Sequence, residues 1–524
     1  MNPAVTSDNQ NAPEADAMAP KTVGYTNSIA FGVLSVALIL LASARQFSSL
    51  FSPIEDPDLF WHIVIGRWIL DHGAVPQVEH WNYFGLGQTF RAYSWSNEVV
   101  YALIDRHFGL RGLWWLQGLS ALGLIAVATF VFRHFSRSWL LTLLAGVLFL
   151  VFIDPFTSIR PQLITFILFA LIPLIAESIQ KNGLKLRYGI FIFLIFLIWS
   201  NTHLAMIVGM GYLGGLLFGF SKPRVQATAW ALAIAFLGTL VNPYGLGVWQ
   251  TFFSKIGHVG LFRGDIAEFQ PMTIVFRLFG YYAICAILFV VVALKNKKIA
   301  RFEIAVTAAF FLLGAYAIKF LPFTALASLT FILKNGADLV EDELVPILQK
   351  KLGRAVDRWN NIFASRFGLG ALVSLSVLCV VLLAARLIEQ AREPFLLEVF
   401  PDATLDFIFK NQLPKPILSD FRTGGYLMYR LSDARGHLLH PVAIDGRTNI
   451  LSPAHTLAYY SMYHGWAGWK AFIERYQPGT IVWPVDGDSP LSRLLIEGDE
   501  WCQVFDGNQT VEGYSVFTRC AADK

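Results

Sequence analysis

The feature that most constrains this chain is a succession of apolar runs long enough, or nearly long enough, to cross a bilayer. They lie near residues 27–48, 112–132, 138–153, 160–178, 188–200, 203–220, 225–242, 272–294, 302–318, 321–334 and 369–389. A spanning segment needs about 20 mostly apolar residues, and must be helical to satisfy its own backbone inside lipid. Charged residues make up only 15% of the 524, against roughly 25% in soluble domains. The pattern predicts a polytopic α-helical membrane protein of about 11 spans. Between Tyr188 and Phe220 the run is too long for one helix. Asn201-Thr202-His203 breaks it, which predicts two spans joined by a tight polar turn.

Basic residues orient the spans. Arg133 and Arg137, then Lys181, Lys185 and Arg187, then Lys222 and Arg224 follow the second, fourth and sixth runs. Lys295, Lys297, Lys298 and Arg301 follow the eighth, and Lys350, Lys351, Arg354 and Arg358 the tenth. With eleven spans all of these fall on one side, which the positive-inside rule makes cytoplasmic. Residues 1–22, rich in Asn, Ala and Pro, read as a disordered cytoplasmic tail. Residues 23–390 form the transmembrane domain, with a first extracytoplasmic loop at 49–111. Residues 391–524 have the composition of a soluble extracytoplasmic domain.

That last region alternates strand-like runs (Pro416–Asp420, Leu439–Asp445, Thr480–Val485, Trp501–Phe505) with helix-like ones (Thr404–Asn411, Gly425–Ser432, Trp466–Tyr476, Leu491–Glu497). The alternation predicts a small α/β layer. Asp420, Gly424 and Gly425 fall at a strand-to-helix junction, and Asp445-Gly446-Arg447 closes the next strand. Such positions suit a ligand, or simply turn glycines with an internal Asp–Arg pair. Cys502 and Cys520 flank a terminal hairpin and are expected to lie close enough to bridge, provided the region is exported. A net charge of +4 gives no reason to expect nucleic acid.

Chemistry concentrates in Asp56-Pro57-Asp58-Leu59-Phe60-Trp61-His62, just after the first run. Ionisable groups beside a membrane are costly to place, and they mark function more often than decoration. A helix starting after Pro57 sets Asp58 and His62 at i and i+4, on one face. Arg160-Pro161-Gln162, Asn201-Thr202-His203, Asn242-Pro243-Tyr244, the stretch Arg263–Gln270 and Lys319 all fall at the same non-cytoplasmic side. The convergence predicts one extracytoplasmic site roofed by the first loop. Within that loop, Ile63–His72 and Ser96–His107 read as amphipathic stretches lying along the interface. Plainer readings stand beside each of these. Asp-Pro-Asp is a good helix-capping sequence, and His62 can bond Asp58 across one turn. Arg160 and Lys319 can snorkel to headgroups, and Asn201 and His203 can satisfy turn backbone. Glu98 can be a structural pairing partner.

The motif, with Gly66, Gly73 and Pro76 after it, resembles a largely uncharacterised group of bacterial multi-pass membrane proteins whose usual pattern is Asp-Pro-Asp-Leu-Trp-Trp-His. Phe60 is a mild departure from it. The likeness continues through Glu98, Arg160-Pro161, Trp199-Ser200-Asn201-Thr202-His203, Asn242-Pro243-Tyr244-Gly245, Gly424-Gly425-Tyr426 and Asp445-Gly446-Arg447. Leu204 stands where the group commonly has glycine. The group in turn resembles the C-type (GT-C) membrane glycosyltransferases, through the acidic first loop, the helix count and the exported C-terminal domain.

That resemblance implies transfer of a sugar from a polyprenyl-phosphate donor to a lipid, glycan or protein acceptor in the cell envelope, outside the bacterial inner membrane. An acidic residue of the first loop would act as base or hold a divalent metal, Mg or Mn; Asp58 matches best, Asp56 second, with His62 beside them. Arg67, Arg91, Arg160, His203 and Lys319 would be the cations available to a departing lipid phosphate, with Glu98 and Asn201 lining the substrate. Nothing matches the sequon-reading motif of oligosaccharyltransferases, so asparagine-linked protein glycosylation is not supported. A polysaccharide polymerase or ligase would use the same lipid-linked donors. A transporter would gather its polar groups near the midplane, often in paired repeats, and a scaffold would not explain the aspartate-rich loop.

Overall fold

A computed structural model describes residues 49–136, 139–218, 222–262, 267–272, 276–339, 366–396, 399–447, 450–485 and 489–520. The tail, the expected span at 27–48, Arg137, Arg263 and the cluster from Lys350 to Arg358 lie outside the described residues.

Helices α1 (Asp58–His72), α2 (Trp95–Phe135), α3 (Trp139–Ile153), α4 (Gln162–Asn182), α5 (Leu186–Thr202) and α6 (Met206–Leu217) come first. They are followed by α7 (Lys222–Leu240), α8 (Gly247–Phe262), α9 (Phe276–Lys295), α10 (Arg301–Tyr316), α11 (Leu321–Leu339) and α12 (Arg366–Arg392). Among the described residues, Trp95–Phe135, Gln162–Asn182 and Leu278–Lys295 are long and apolar enough to cross a membrane. Leu141–Phe156, Leu186–Thr202, Met206–Leu217 and Val225–Leu240 are shorter apolar helices. At 1.5 Å per residue a 17-residue helix such as α5 is about 26 Å long, slightly less than the hydrocarbon core.

Helix α5 shows how the bundle meets its surroundings. Ile190, Phe191, Leu194 and Ile198 are exposed along one stripe, while Ile192, Ile195, Phe196 and Trp199 are buried on the other. An apolar stripe left outside is what a lipid-facing helix presents. Inside, Phe169 packs on Tyr212, Phe310 and Phe323, joining α4, α6, α10 and α11.

Three local features depart from the sequence reading. Ser96–His107 is not a separate interfacial helix but the first arm of α2, bent at Gly109, whose φ of 62° and ψ of −164° form a backbone that glycine tolerates and other residues avoid. Ile63–His72 does not lie along an interface either. Leu59 to Gly66 and Ile69 are buried, because α1 is apolar on nearly every side and such a helix belongs in a core. Helix α8 falls where no element was expected. Gln250, Ser254, Lys255 and His258 interrupt its apolar run, so it escapes a search for continuous hydrophobicity.

The C-terminal region contains α13 (Asp402–Lys410), β1 (Ile417–Leu418), α14 (Gly424–Leu431), α15 (Pro453–Tyr463) and α16 (Lys470–Tyr476). Then come β2 (Thr480–Pro484), α17 (Leu491–Glu497), β3 (Trp501–Phe505) and β4 (Tyr514–Arg519). The sheet order is β1-β2-β4-β3, with β1 parallel to β2 and the other pairs antiparallel. Helix α15 falls where no element is expected, while β3 and β4 form the expected terminal hairpin. Leu439–Asp445 is not a sheet strand. Val442 instead exchanges backbone hydrogen bonds with Trp81 and Tyr83 of the first loop, at 2.9 and 2.8 Å. Cys502 and Cys520 are bridged, with Cα atoms 4.9 Å apart.

This docking positions the site. Phe60 is fully buried against Phe395, Phe400, Tyr426 and Tyr429, with ring centroids 4.8–5.6 Å away. Phe60 therefore packs the start of α1 against the C-terminal region. Phe84 of the first loop in turn packs on Phe472, 4.9 Å between centroids. Truncating a buried phenylalanine to alanine costs about 3–5 kcal/mol, so these two side chains anchor the loop and C-terminal region together.

Candidate active site

Pro57 leads into α1, and the Asp56 carboxylate accepts the Asp58 backbone N–H at 3.0 Å. The capping reading of Asp-Pro-Asp is thus satisfied by Asp56. It leaves the Asp58 side chain free for another use. Its Oδ1 accepts from Trp61 Nε1 at 3.1 Å and its Oδ2 meets Arg160 at 3.2 Å. Arg160 sits just before α4 and also binds Asp56, one contact being Nη2 to Oδ1 at 3.0 Å, and Glu268. Glu268 belongs to the polar stretch Arg263–Gln270, where a lone glutamate carries no motif to mark it. Lys319 lies 4.1 Å above the ring of Phe269, next to Glu268.

The two aspartates differ electrically. Burial works to raise the Asp56 pKa, but the charge and hydrogen bonds of Arg160 outweigh it and leave it below the ordinary value. At Asp58 burial, helped by the negative charge of Asp56, outweighs Arg160 and His62, and the pKa is raised. Arg160 is held firmly protonated: burial works against its charge, and Asp56, Asp58 and Glu268 more than reverse that. The Asp58 side chain is 22% exposed and that of Asp56 5%, so Asp58 is the aspartate that an incoming molecule can reach.

His62 takes a different partner from the one its spacing suggested. Its Nδ1 faces Glu98 Oε1 at 3.2 Å, both groups buried. Glu98 also accepts from Ser94 at 2.9 Å, and its Oε2 has no hydrogen-bond partner among the described residues. Asn201 accepts from Trp95 Nε1 and donates to the carbonyls of Leu197 and Val241, each at 2.8 Å. His203 ends α5 in extended conformation and its Nδ1 accepts from the Ala205 N–H at 3.2 Å. His62, Glu98 and Asn201 hold the start of α2 against α1 and the end of α5, beside the aspartates rather than among them, and the His203 bond to Ala205 stays within the α5–α6 turn.

Arg67 and Arg91 stand elsewhere. Arg67 pairs with Asp105 at 2.7 Å and covers the Tyr429 ring, tying α1 and α2 to α14. Arg91 donates to Gln250 of α8 at 2.9 Å. The structure thus brings together Asp56, Asp58 and Arg160, sets Lys319 nearby, and places the other expected residues in supporting contacts.

The C-terminal motifs close over the same spot. A Cβ on Gly446 would come within 1.8 Å of Asp58 Oδ1, so only glycine permits this approach. Its neighbour Arg447 is buried between Asp445 (2.7 Å) and Glu79 (2.9 Å). Glu79 also accepts the backbone N–H groups of Trp81 and Asn82, and Asn82 donates to Asp445 at 3.3 Å. Its carboxylate partners hold Arg447 well protonated despite burial. Sequence drew attention to Asp445-Gly446-Arg447, whereas nothing marked Glu79 as the partner.

No protein-family model matches the chain, and neither does any curated protein sequence. Among solved structures, the apo oligosaccharyltransferase of Archaeoglobus fulgidus is similar, with 11% sequence identity and a TM-score of 0.48, over 95% of this chain and 75% of that one. A likeness of that size says nothing about activity. The fold and the site together define a helical, membrane-type protein whose first loop carries an acidic–arginine cluster covered by a small mixed-sheet region.

Proposed function

We propose that this chain is a membrane glycosyltransferase of GT-C type that moves a sugar from a polyprenyl-phosphate donor to an acceptor outside the cytoplasm. The observation that carries the reading is Asp58: a partly buried carboxylate of raised pKa, fixed by Trp61 and Arg160, at the junction of first loop and C-terminal region. A general base needs a pKa moved toward the working pH and a fixed position. In the proposed step an acceptor hydroxyl gives its proton to Asp58 while its oxygen bonds the anomeric carbon. The bond from that carbon to the phosphate oxygen breaks, and polyprenyl phosphate leaves. Arg160 and Lys319 are the cations of this edge, suited to the charge that develops on the phosphate.

Eleven spans, the non-cytoplasmic position of the loop and the C-terminal region beyond the membrane belong to the same proposal. Their support is the one-sided placement of basic residues. The Cys502–Cys520 bridge adds to it, since disulfides persist in oxidising compartments. Carboxylate oxygens suit Mg or Mn in chemical type. Asp56 and Asp58 already share the Arg160 guanidinium, and among the described residues they form no three-ligand cluster. No step is therefore routed through a metal.

The test is to delete the gene and compare cell-envelope glycans and glycolipids by mass spectrometry. Loss of a glycan species, restored by the wild-type gene, supports the proposal; an unchanged profile overturns it.

A further inference from the structure

A second cluster of ligating side chains lies at the other end of α1, away from Asp58. Asp71 and His72 close the helix, and His437 reaches them from the turn after α14. One ligand atom from each of the three lies within 4.8 Å of the others, and all three residues are exposed. Around a tetrahedral zinc with bonds of about 2.0–2.1 Å, ligand atoms are about 3.3 Å apart. Exposed side chains close that gap by rotamer adjustments of about 1 Å.

Both imidazoles have close neighbours. His72 stacks on Trp68 at 3.9 Å and 16°, and its Nδ1 contacts the Trp68 carbonyl at 2.9 Å. His437 sits in a turn whose Asp433 carboxylate accepts the backbone N–H groups of Arg435 and His437, both at 2.9 Å. Buried Trp81 donates to Gly436 in that turn at 2.9 Å. The Nδ1 of His437 faces Asp433 at 3.5 Å. In each ring an oxygen lies beside Nδ1, the contact that orients a histidine whose other nitrogen coordinates; His72 Nδ1 also lies 3.7 Å from Asp71 Oδ2. The end of α1 adds the negative pole of its dipole. Arg435 is the competing cation, 3.7 Å from Asp71, and must yield it. His80, stacked on Trp68 at 5.1 Å, is the neighbouring imidazole.

We propose that Asp71, His72 and His437 bind a zinc-type divalent ion that clips the end of α1 to the turn of the C-terminal region. Two imidazoles and one carboxylate select Zn, Ni or Cu over Mg or Ca. The site is separate from the aspartate cluster and does not depend on the glycosyltransferase reading.

The experiment uses the full chain purified in detergent, stripped of metal and dialysed with Zn²⁺ alone. One equivalent should be retained, and Zn²⁺ should raise the unfolding temperature. His437→Ala and His72→Gln should each weaken retention at least tenfold and abolish the thermal shift. His107→Ala, an exposed histidine outside the cluster, should keep both. The metal-free unfolding temperature of each variant separates lost binding from lost folding. No retained zinc in the wild type, or equal retention in the two cluster variants, would overturn the proposal, as would displacement of Zn²⁺ by an equal concentration of Mg²⁺.

Discussion

Replacing Gly446 by alanine is the smallest change that reaches Asp58. The added Cβ would lie 1.8 Å from Oδ1 and 3.0 Å from Cγ of Asp58, and 3.4 Å from Trp61 Nε1. A normal contact needs about 3.5 Å, so the carboxylate must retreat by roughly 1.7 Å. That movement breaks the Trp61 hydrogen bond and disturbs the Arg160 pair. Hydrogen bonds to a charged group contribute about 1.5–3 kcal/mol, which sets the expected loss of stability. Misplacement of a reacting group by 1 Å costs about 10²-fold in rate, so transfer should fall further than stability. The assay is thermal unfolding of four purified proteins: wild type, Gly446→Ala, Asp58→Ala and the double variant. Both clashing atoms are absent from Asp58→Ala, so adding Gly446→Ala there should cost almost nothing, a coupling that a double-mutant cycle measures. An equal loss in both backgrounds would refute the claim that Gly446 exists to admit Asp58.

Arg447→Met should destabilise the protein by about 3–5 kcal/mol, since it leaves Glu79 and Asp445 buried without their cation; denaturation with and without a further Glu79→Gln change, which should recover part of the loss, checks this. Arg160→Gln removes the charge that lowers both aspartate pKa values. The depressed Asp56 pKa stabilises the fold above its ordinary 3.8, an effect lost as pH falls through the folded value. The variant should therefore be less stable at neutral pH, and the acid limb of its activity should move to higher pH; turnover and unfolding temperature across about pH 4 to 8 measure both. Alkaline phosphatase fused after residue 400 should be active, and an inactive fusion would put the C-terminal region on the wrong side for the proposed chemistry.

What could be read from the sequence was whatever depends on local pattern. Runs of apolar residues located the second arm of α2, α3 to α7 and α9 to α12, because lipid-facing and buried helix faces are apolar alike. The Asn201–His203 break fell where α5 ends. The Asp56–Arg160 pairing was legible only as two polar groups sharing a side, not as a contact. Long-range pairing escaped. His62 meets Glu98 rather than Asp58, and Leu439–Asp445 pairs with the first loop through Val442 rather than joining the sheet. Glu79 and Glu268 were invisible as partners because a single glutamate carries no spacing. Helix α8 was hidden by its mixed polarity, and α1 was misjudged because its charged ends disguised a helix buried along most of its length.

The central claim is that Asp58 takes the acceptor proton in glycosyl transfer. Its most direct test is release of polyprenyl phosphate from a labelled polyprenyl-phosphate sugar by the protein in nanodiscs, with acceptor present, comparing wild type with Asp58→Asn. That change preserves shape and removes charge, leaving the Asp56 cap intact. The account predicts turnover by the wild type and a loss of about 10²–10⁴-fold in the variant, at an unfolding temperature close to that of the wild type. Equal turnover by the two proteins, or no release by a folded wild type with any lipid-linked sugar, would contradict it.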